Sequence, residues 1–218
     1  MNIAIIGTGN MGSALAGIYA RAGLHVTVGS RDIARARALA ASIGNVGNIE
    51  AAGIRAAVES SDTIVLAVPY AAVEETLAAA GDLAGKVIID ITNPITPDYM
   101  ALTIGHTTSA GEEVARLAPG AVVVKAYNTI FAQLLAYQRK DGEPPVQVLY
   151  ATDDKDAGQA FDELVRATGF APVYAGPLAN ARYLEPLAEL NIQFGYALGA
   201  GVFTAPVWIK YAGAGGSA

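Results

Sequence analysis

The sequence predicts an α/β fold: a doubly wound, mainly parallel sheet followed by a C-terminal helical extension. Short β-branched runs alternate with alanine-rich segments of helical periodicity, which is typical of βαβ units. The run TIVLAVP (63–69) is apolar almost throughout, as expected for a strand covered on both faces. A glycine-rich segment, GTGNMG (7–12), separates the first predicted strand from the first predicted helix.

The predicted elements follow one another without a repeat or a low-complexity linker. In the first helix, Ala14, Leu15, Ile18, Tyr19 and Ala22 share one face, and Gly23 follows as a stop signal. The predicted strands are 2–7, 25–30, 46–50, 63–69, 86–92, 121–129, 145–151 and 171–176, and the predicted helices are 12–22, 32–43, 51–60, 71–80, 155–168 and a long pattern from residue 178.

Composition excludes several classes of function. Hydrophobic residues make up 53% and charged residues 16% of the chain, which indicates a well-packed globular protein. The net charge of −6 argues against a nucleic-acid partner and against binding to an anionic membrane. The chain has no cysteine, so disulfides, thiol catalysis and thiolate metal sites are excluded. We expect no metal site. We also expect a cytoplasmic protein, because MNIAIIG lacks the basic segment of a signal peptide.

The glycine-rich segment has the spacing G-x-G-x-x-G, with glycines at positions 7, 9 and 12. Gly7 allows a tight turn, Gly9 lets the backbone approach a pyrophosphate, and Gly12 permits close packing of helix on strand. The N–H groups of the loop, which also contains Thr8, Asn10 and Met11, favour an anion at the helix N-terminus. Between a strand and a helix, this motif predicts a Rossmann-type dinucleotide site.

The end of the second strand indicates which dinucleotide binds. NAD sites usually have an acidic residue about 20 residues after the loop, which binds the ribose hydroxyls. Here the strand ends in Val28-Gly29-Ser30-Arg31, so a hydroxyl and a guanidinium take that place. Arg31 can bind a phosphate in bidentate fashion, Ser30 and Thr8 can donate to it, and Arg35 lies one helical turn further on. We therefore predict NADP(H), with residues 1–177 as its binding domain.

Three further strand ends are candidates for contacts with the ribose and nicotinamide, because ligands of such sheets lie across the carboxyl ends of the strands. Each end joins an apolar strand to a polar or chain-turning residue. They are Val68-Pro69-Tyr70, Thr92-Asn93-Pro94 and Tyr127-Asn128-Thr129.

Groups for proton transfer are few, and the catalytic residues are not assigned. His25 opens a strand far from the carboxyl ends, and His106 lies in a polar loop. Lys125 and Tyr127 flank Ala126, so both are predicted to point to one face of the sixth strand, and they are the candidates for a proton donor. Hydride transfer between two stacked redox cofactors needs alignment more than a strong acid. Reduction of a carbonyl would need a proton donor.

The chain resembles the coenzyme F420-dependent NADP oxidoreductases. The resemblance is carried by IIGTGNMG, VTVGSR, TIVLAVP and AGPLANARYLEPLAELN, and it extends over nearly the whole chain. It implies a Rossmann domain with a small helical C-terminal part, usually dimeric, that passes hydride between NADPH and the deazaflavin F420. By position, it implies that the 2′-phosphate is held by Thr8, Ser30 and Arg31 and that the nicotinamide is surrounded by Pro69, Tyr70, Asn93, Asn128 and Thr129.

One stretch departs from this resemblance. Residues 127–133 read YNTIFAQ, whereas the archaeal enzymes have a His-Thr-Ile-Pro-like stretch. The pattern Lys-Ala-aromatic-Asn-Thr is similar to the cytoplasmic reductase domains of transmembrane metalloreductases, which pass electrons from NADPH to a flavin. The acceptor is therefore F420, FMN or FAD, or another small electrophile. An imine or carbonyl reductase and a non-catalytic NADP(H)-sensing module are the alternatives.

The extension, residues 178–218, is expected to form a dimer interface and a wall of the acceptor site. Its apolar positions (Leu184, Leu187, Leu190, Ile192, Phe194 and Leu198) alternate with small residues, which predicts a helix buried on most sides. Residues 191–209 carry no charge, yet Asn191, Gln193 and several glycines favour a buried or interfacial helix over a membrane span. We expect a homodimer, because a monomer would expose this apolar surface.

Overall fold

The computed structural model describes residues 1–44 and 48–211. Within them, one eight-stranded sheet has the order β3-β2-β1-β4-β5-β6-β7-β8. The strands are β1 (Asn2–Ile6), β2 (His25–Gly29), β3 (Asn48–Ala52), β4 (Thr63–Leu66), β5 (Val87–Asp90), β6 (Val122–Ala126), β7 (Gln147–Ala151) and β8 (Ala171–Tyr174). Neighbouring strands are parallel except β6 and β7. The predicted doubly wound, mainly parallel fold is confirmed.

Helices cover both faces of the sheet. They are α1 (Asn10–Arg21), α2 (Ile33–Ile43), α3 (Ile54–Glu59), α4 (Val73–Ala80), α5 (Ala110–Leu117), α6 (Ala132–Leu135), α7 (Lys155–Ala167) and α8 (Ala181–Ile192). One core cluster packs α1, α6 and α7 on one face, and a second packs α3, α4 and α5 on the other. This two-sided burial explains why the central strands read as uninterrupted apolar runs.

Most predicted elements are present, with shifted ends. The predicted strand 121–129 stops at Ala126, so Tyr127, Asn128 and Thr129 lie beyond it. The predicted helix 71–80 begins with a 3₁₀ turn over Tyr70–Ala72. Helices α5 and α6 were not predicted. Of the predicted strand 46–50, residues 46 and 47 lie outside the described residues.

Two glycines of the loop are required by the protein's own packing. Gly7 has φ +126°, and a Cβ there would overlap the carbonyl oxygen of Ala67, which follows β4. A Cβ at Gly12 would overlap the carbonyl oxygen of Gly7. The first turn of α1 can therefore approach the end of β1 only because both residues are glycine.

The C-terminal extension differs from the prediction. Instead of one long helix, α8 is followed by a π-helical turn over Gln193–Ala197, and the chain then runs irregularly to residue 211. Gly199 and Gly201, at φ +74° and +81°, adopt conformations that end a helix. Within a single chain the end of this segment is not buried on most sides, since several apolar side chains are exposed (Leu190, Phe194, Tyr196, Leu198, Phe203 and Trp208). Residues 212–218 of the predicted extension lie outside the described residues.

Across residues 1–44 and 48–211, the structure contains no helix long and apolar enough to cross a membrane. The uncharged segment 191–209 lies on the sheet domain instead. Its Trp208 backbone N–H donates to the side chain of Gln147 on β7 over 2.7 Å.

Candidate functional site

The glycine loop presents an open N-terminus of α1. Gly9 is the N-cap residue, and in the described chain no side chain caps this helix. A Cβ at Gly9 would meet no protein atom within 4 Å, unlike one at Gly7 or Gly12. The backbone here is thus open to a ligand, and the N–H groups of Asn10 and Met11 belong to the uncapped first turn. This arrangement suits a pyrophosphate.

The end of β2 lies beside this loop. Gly29 pairs with Ile6, and the carbonyl oxygen of Gly29 accepts a hydrogen bond from the N–H of Gly7. Ser30 follows directly, and its Oγ accepts from the backbone N–H of Asp32, the N-cap residue of α2. The structure therefore brings Ser30 and Arg31 next to the glycine loop, as the sequence predicts.

Arg31 is exposed and ion-paired. Its Nη1 donates to both carboxylate oxygens of Glu75 over 2.9 Å. Glu75 lies in the first turn of α4, which follows β4, and β4 flanks β1 on the side opposite β2. Arg35 lies in the first turn of α2, where its N–H donates to the Asp32 carboxylate, and its side chain is exposed.

At the ends of β5 and β6, two asparagines form hydrogen bonds with each other. Asn93 Nδ2 donates to the carbonyl oxygen of Asn128 over 2.9 Å, and Asn128 Nδ2 donates to Asn93 Oδ1 over 3.0 Å. Asn128 Nδ2 also donates to the carbonyl oxygen of Leu184 on α8 over 3.1 Å. The two strand ends and the C-terminal helix are thus joined at one point.

A cavity of about 200 Å³ lies where these strand ends meet the glycine loop and α8. Its wall includes Asn10, Met11, Asn93, Asn128, Asn191 and Tyr196. In the described chain, Asn128 Oδ1 and Thr129 Oγ1 are buried without a hydrogen-bond partner. Because buried polar atoms are normally paired with protein, water or ligand, these two atoms are candidates for contact with a polar ligand in this cavity.

Other predicted residues lie outside the cavity wall. Val68, Pro69 and Tyr70 follow β4 on the same edge of the sheet, and Pro94 follows β5. Burial, aided by the carboxylates of Glu113 and Glu185, raises the pKa of Tyr70. A larger cavity of about 620 Å³ lies at the opposite end of α1, and it is lined by none of the predicted site residues.

Lys125 is a buried cation held by two carboxylates, and it does not line the cavity. Its side chain is 0% exposed, and Nζ lies 2.9 Å from Asp90 Oδ2 and 2.8 Å from Glu185 Oε1. The same Nζ donates to the carbonyl oxygen of Thr92. Burial alone would lower the pKa of Lys125, but the two carboxylates outweigh it and raise the pKa.

Glu185 extends this buried ion cluster, which consists of Lys125, Asp90 and Glu185. Its carboxylate accepts hydrogen bonds from the backbone N–H groups of Ala110 and Gly111, at the N-terminus of α5. The cluster therefore joins β5, β6, α5 and α8 directly behind Asn93 and Asn128. Its fully buried charges are compensated by ion pairs and hydrogen bonds, which is the condition for tolerating them.

Tyr127 lines the cavity, but its side chain is buried and its hydroxyl is bonded within the core. It is 0% exposed, its hydroxyl accepts a hydrogen bond from Tyr19 on α1 over 3.1 Å, and its ring contacts Phe161 on α7 edge-on. Burial raises the pKa of Tyr127. The prediction that Lys125 and Tyr127 share a face is wrong: Tyr127 lies beyond β6 at φ +58°, so strand alternation does not apply to it.

Sequence reasoning missed Asp90, Glu185 and Asn191. Asp90 is the one charged residue inside the apolar run VIID of β5, and Glu185 lies within α8 at 1% exposure. A carboxylate in an otherwise apolar strand suggests a buried ion pair, but it does not name the partner. Asn191 Nδ2 donates to the carbonyl oxygen of Thr129, so α8 also holds this part of the site.

Comparison with known proteins agrees with this geometry. The profile of the family described as NADP oxidoreductase, coenzyme F420-dependent, matches residues 2–94. The F420-dependent NADP reductase of Methanothermobacter thermautotrophicus is 35% identical over 208 residues, which cover 88% of each chain. The metalloreductase STEAP3 of Rattus norvegicus is 34% identical over 185 residues, which cover 85% of this chain. The match spans 36% of that metalloreductase, so the chain corresponds to about a third of it.

Solved structures share the fold of this chain. The crystal structure of a putative F420-dependent NADP reductase from Arthrobacter superimposes with a TM-score of 0.82 at 28% identity, covering 95% of this chain and 99% of that one. The reductive aminase from Aspergillus terreus in complex with NADPH gives a TM-score of 0.65 at 27% identity, covering 91% of this chain and 62% of the aminase. The chain belongs to the F420-dependent NADP oxidoreductases, a family of oxidoreductase enzymes.

Proposed function

We propose that this enzyme transfers a hydride between NADPH and a deazaflavin such as F420 or a flavin. The observation that carries the choice of NADPH is the pair Ser30 and Arg31 at the end of β2, beside the uncapped N-terminus of α1. In NAD-binding relatives of this fold an acidic residue takes that place, and a hydroxyl with a guanidinium suits a phosphate instead.

The remaining nucleotide contacts follow from the same edge of the sheet. The open backbone at Gly9 and the N–H groups of Asn10 and Met11 would hold the pyrophosphate. Thr8, Ser30 and Arg31, with Arg35 one turn further on, would hold the 2′-phosphate. Val68, Pro69, Tyr70 and Pro94 would contact the ribose and the neighbouring part of the cofactor.

The cavity behind the glycine loop suits the nicotinamide. Asn128 Oδ1 is a buried acceptor and Thr129 Oγ1 a buried hydroxyl, both without partners in the described chain. A carboxamide offers an N–H₂ donor and a carbonyl acceptor, which complement these two atoms. Asn93 supports the site by orienting Asn128.

The residues around the cavity favour hydride transfer to a second redox cofactor. When bound, NADPH would supply a hydride, which carries both electrons, and the proton that completes reduction of the acceptor ring would come from solvent. The protein's task is then to align two rings and exclude water, which requires no acid at the cavity wall. Lys125 and Tyr127 are both engaged in buried contacts, and this supports a mechanism that uses neither as a proton donor.

The test is an acceptor screen with the purified protein and NADPH. We expect steady oxidation of NADPH, followed at the nicotinamide absorbance, with F420 or with FMN or FAD. Tight NADPH binding without turnover on any of them would contradict the proposal and leave the imine or carbonyl reductase and the sensing module.

Reduction of an imine or a carbonyl is the second candidate, favoured by the similarity to the reductive aminase. Such a reaction needs a proton donor, and Tyr127 would be that donor. Tyr127→Phe keeps the ring in the core and removes only the hydroxyl. Under our proposal hydride transfer to F420 or a flavin largely survives this change, whereas an imine reductase that depends on Tyr127 loses its activity.

We further propose that residues 178–218 form the interface of a homodimer and one wall of the acceptor site. Asn191, Ile192 and Tyr196 line the cavity, while Phe194 and Leu198 in the same segment are exposed. An apolar surface of this kind supports association with a second copy. Sedimentation velocity at micromolar concentration is expected to show a dimer, and a monomer would reject this proposal.

A further inference from the structure

Glu75 forms an ion pair with Arg31, the arginine that the proposed function assigns to the 2′-phosphate. One nitrogen of the Arg31 guanidinium, Nη1, lies 2.9 Å from both carboxylate oxygens. The side chains are 65% and 66% exposed, so this is a surface ion pair of small net strength. Ser30, which is also proposed to bind the 2′-phosphate, has an uncharged hydroxyl and forms no ion pair.

The charge of Glu75 acts against the phosphate in either of two arrangements. A phosphate monoester carries about −1.5 to −2 charges at neutral pH. If Arg31 keeps its contact with Glu75, the carboxylate stays close to the phosphate and repels it. If Arg31 leaves Glu75 to bind the phosphate, the ion pair is lost. Both arrangements weaken NADPH binding, and neither affects NADH, which has no 2′-phosphate.

We propose that Glu75 is a specificity-determining residue that lowers the preference for NADPH over NADH below the value that Arg31 alone would give. This inference rests on the proposed function, because it assumes that the 2′-phosphate binds at Arg31. The expected effect is modest, about twofold to fivefold in relative affinity, as is usual for exposed ion pairs.

The experiment compares dissociation constants for NADPH and NADH by fluorescence titration at low salt. Glu75→Gln is expected to bind NADPH about threefold more tightly and NADH unchanged. Glu74→Gln is the matched control, since it removes the same charge from the neighbouring exposed position of α4 and should leave the ratio unchanged. Arg31→Ala, alone and combined with Glu75→Gln, completes the set.

Two further results are expected if the proposal holds. The gain from Glu75→Gln should vanish in the Arg31→Ala background, because the two residues act on the phosphate through one contact. It should also vanish in 1 M salt, where the Debye length is about 3 Å.

The outcomes separate the two proposals. If Glu75→Gln weakens NADPH binding, leaves the ratio unchanged or acts like Glu74→Gln, the role of Glu75 is wrong, while a lowered NADPH preference in Arg31→Ala still supports the phosphate site. If Arg31→Ala itself leaves the ratio unchanged, the 2′-phosphate does not bind at Arg31 and the proposed cofactor site fails.

Discussion

Two regions along the carboxyl edge of the sheet, where we propose that the cofactor binds, differ in how their charged residues are placed. At the end of β2, Arg31 and Glu75 form an ion pair that is about two-thirds exposed. At the ends of β5 and β6, Lys125 is fully buried between Asp90 and Glu185. The exposed pair can exchange partners with a ligand at little cost in stability. The buried cluster cannot, and it holds α8 against the sheet.

The largest expected effect is on the buried cluster. Lys125→Met leaves two buried carboxylates without a cation and should lower the free energy of unfolding by about 3–5 kcal/mol. Urea denaturation followed by circular dichroism measures this loss. The triple variant Asp90→Asn, Lys125→Met, Glu185→Gln removes all three charges together and should lose less than the single variant.

A loss below about 1 kcal/mol in Lys125→Met, which is the range of an exposed ion pair, would contradict the distinction between the two ends. A triple variant that is less stable than Lys125→Met would show that the cluster stabilises the fold by more than charge compensation.

The next expected effect distinguishes a glycine that the fold requires, Gly7, from Gly9, which we propose contacts the ligand. Gly9→Ala should fold as stably as the wild type, because its Cβ meets no protein atom, and it should weaken NADPH and NADH alike by about tenfold. Gly7→Ala should be destabilised, since φ is +126° and the Cβ overlaps the Ala67 carbonyl. Thermal unfolding and nucleotide titration measure the two effects.

Gly9 would lose its assigned role if Gly9→Ala bound both nucleotides as tightly as the wild type. Equal destabilisation of the Gly9→Ala and Gly7→Ala variants would show that the open space at Gly9 serves the fold and not a ligand.

The smallest effect on stability is expected at the end of β2, where Arg31 is exposed. Arg31→Ala should change the free energy of unfolding by less than about 0.5 kcal/mol, as is usual for surface positions. It should nevertheless weaken NADPH about tenfold more than NADH, because it removes a charge-assisted contact to the phosphate. Equal losses for the two nucleotides would refute an NADP-specific site.

Local sequence patterns predicted most of the sheet and the glycine loop. The β-branched runs and the glycine spacing depend on neighbouring residues, so the β1 to α1 junction and the position of Ser30 and Arg31 follow directly. Helix α5 was missed, although Ser109 followed by Glu112 has the spacing of a helix N-cap, and Ser109 Oγ does accept from the Glu112 N–H.

Contacts between distant residues were beyond local patterns. Lys125 meets Asp90 and Glu185 only because β5, β6 and α8 converge, and no spacing along the chain indicates this. The left-handed backbone of Tyr127 likewise depends on its packing against Tyr19 and Phe161. The candidate phosphate end was therefore predictable from sequence, whereas the surroundings of the reacting end were not.

A crystal structure with bound NADP⁺ tests the central claim most directly. We predict that the 2′-phosphate lies against the Arg31 guanidinium and the Ser30 hydroxyl at the end of β2, with the pyrophosphate at the N-terminus of α1. A 2′-phosphate that points into solvent without contacting Arg31 would contradict the assignment.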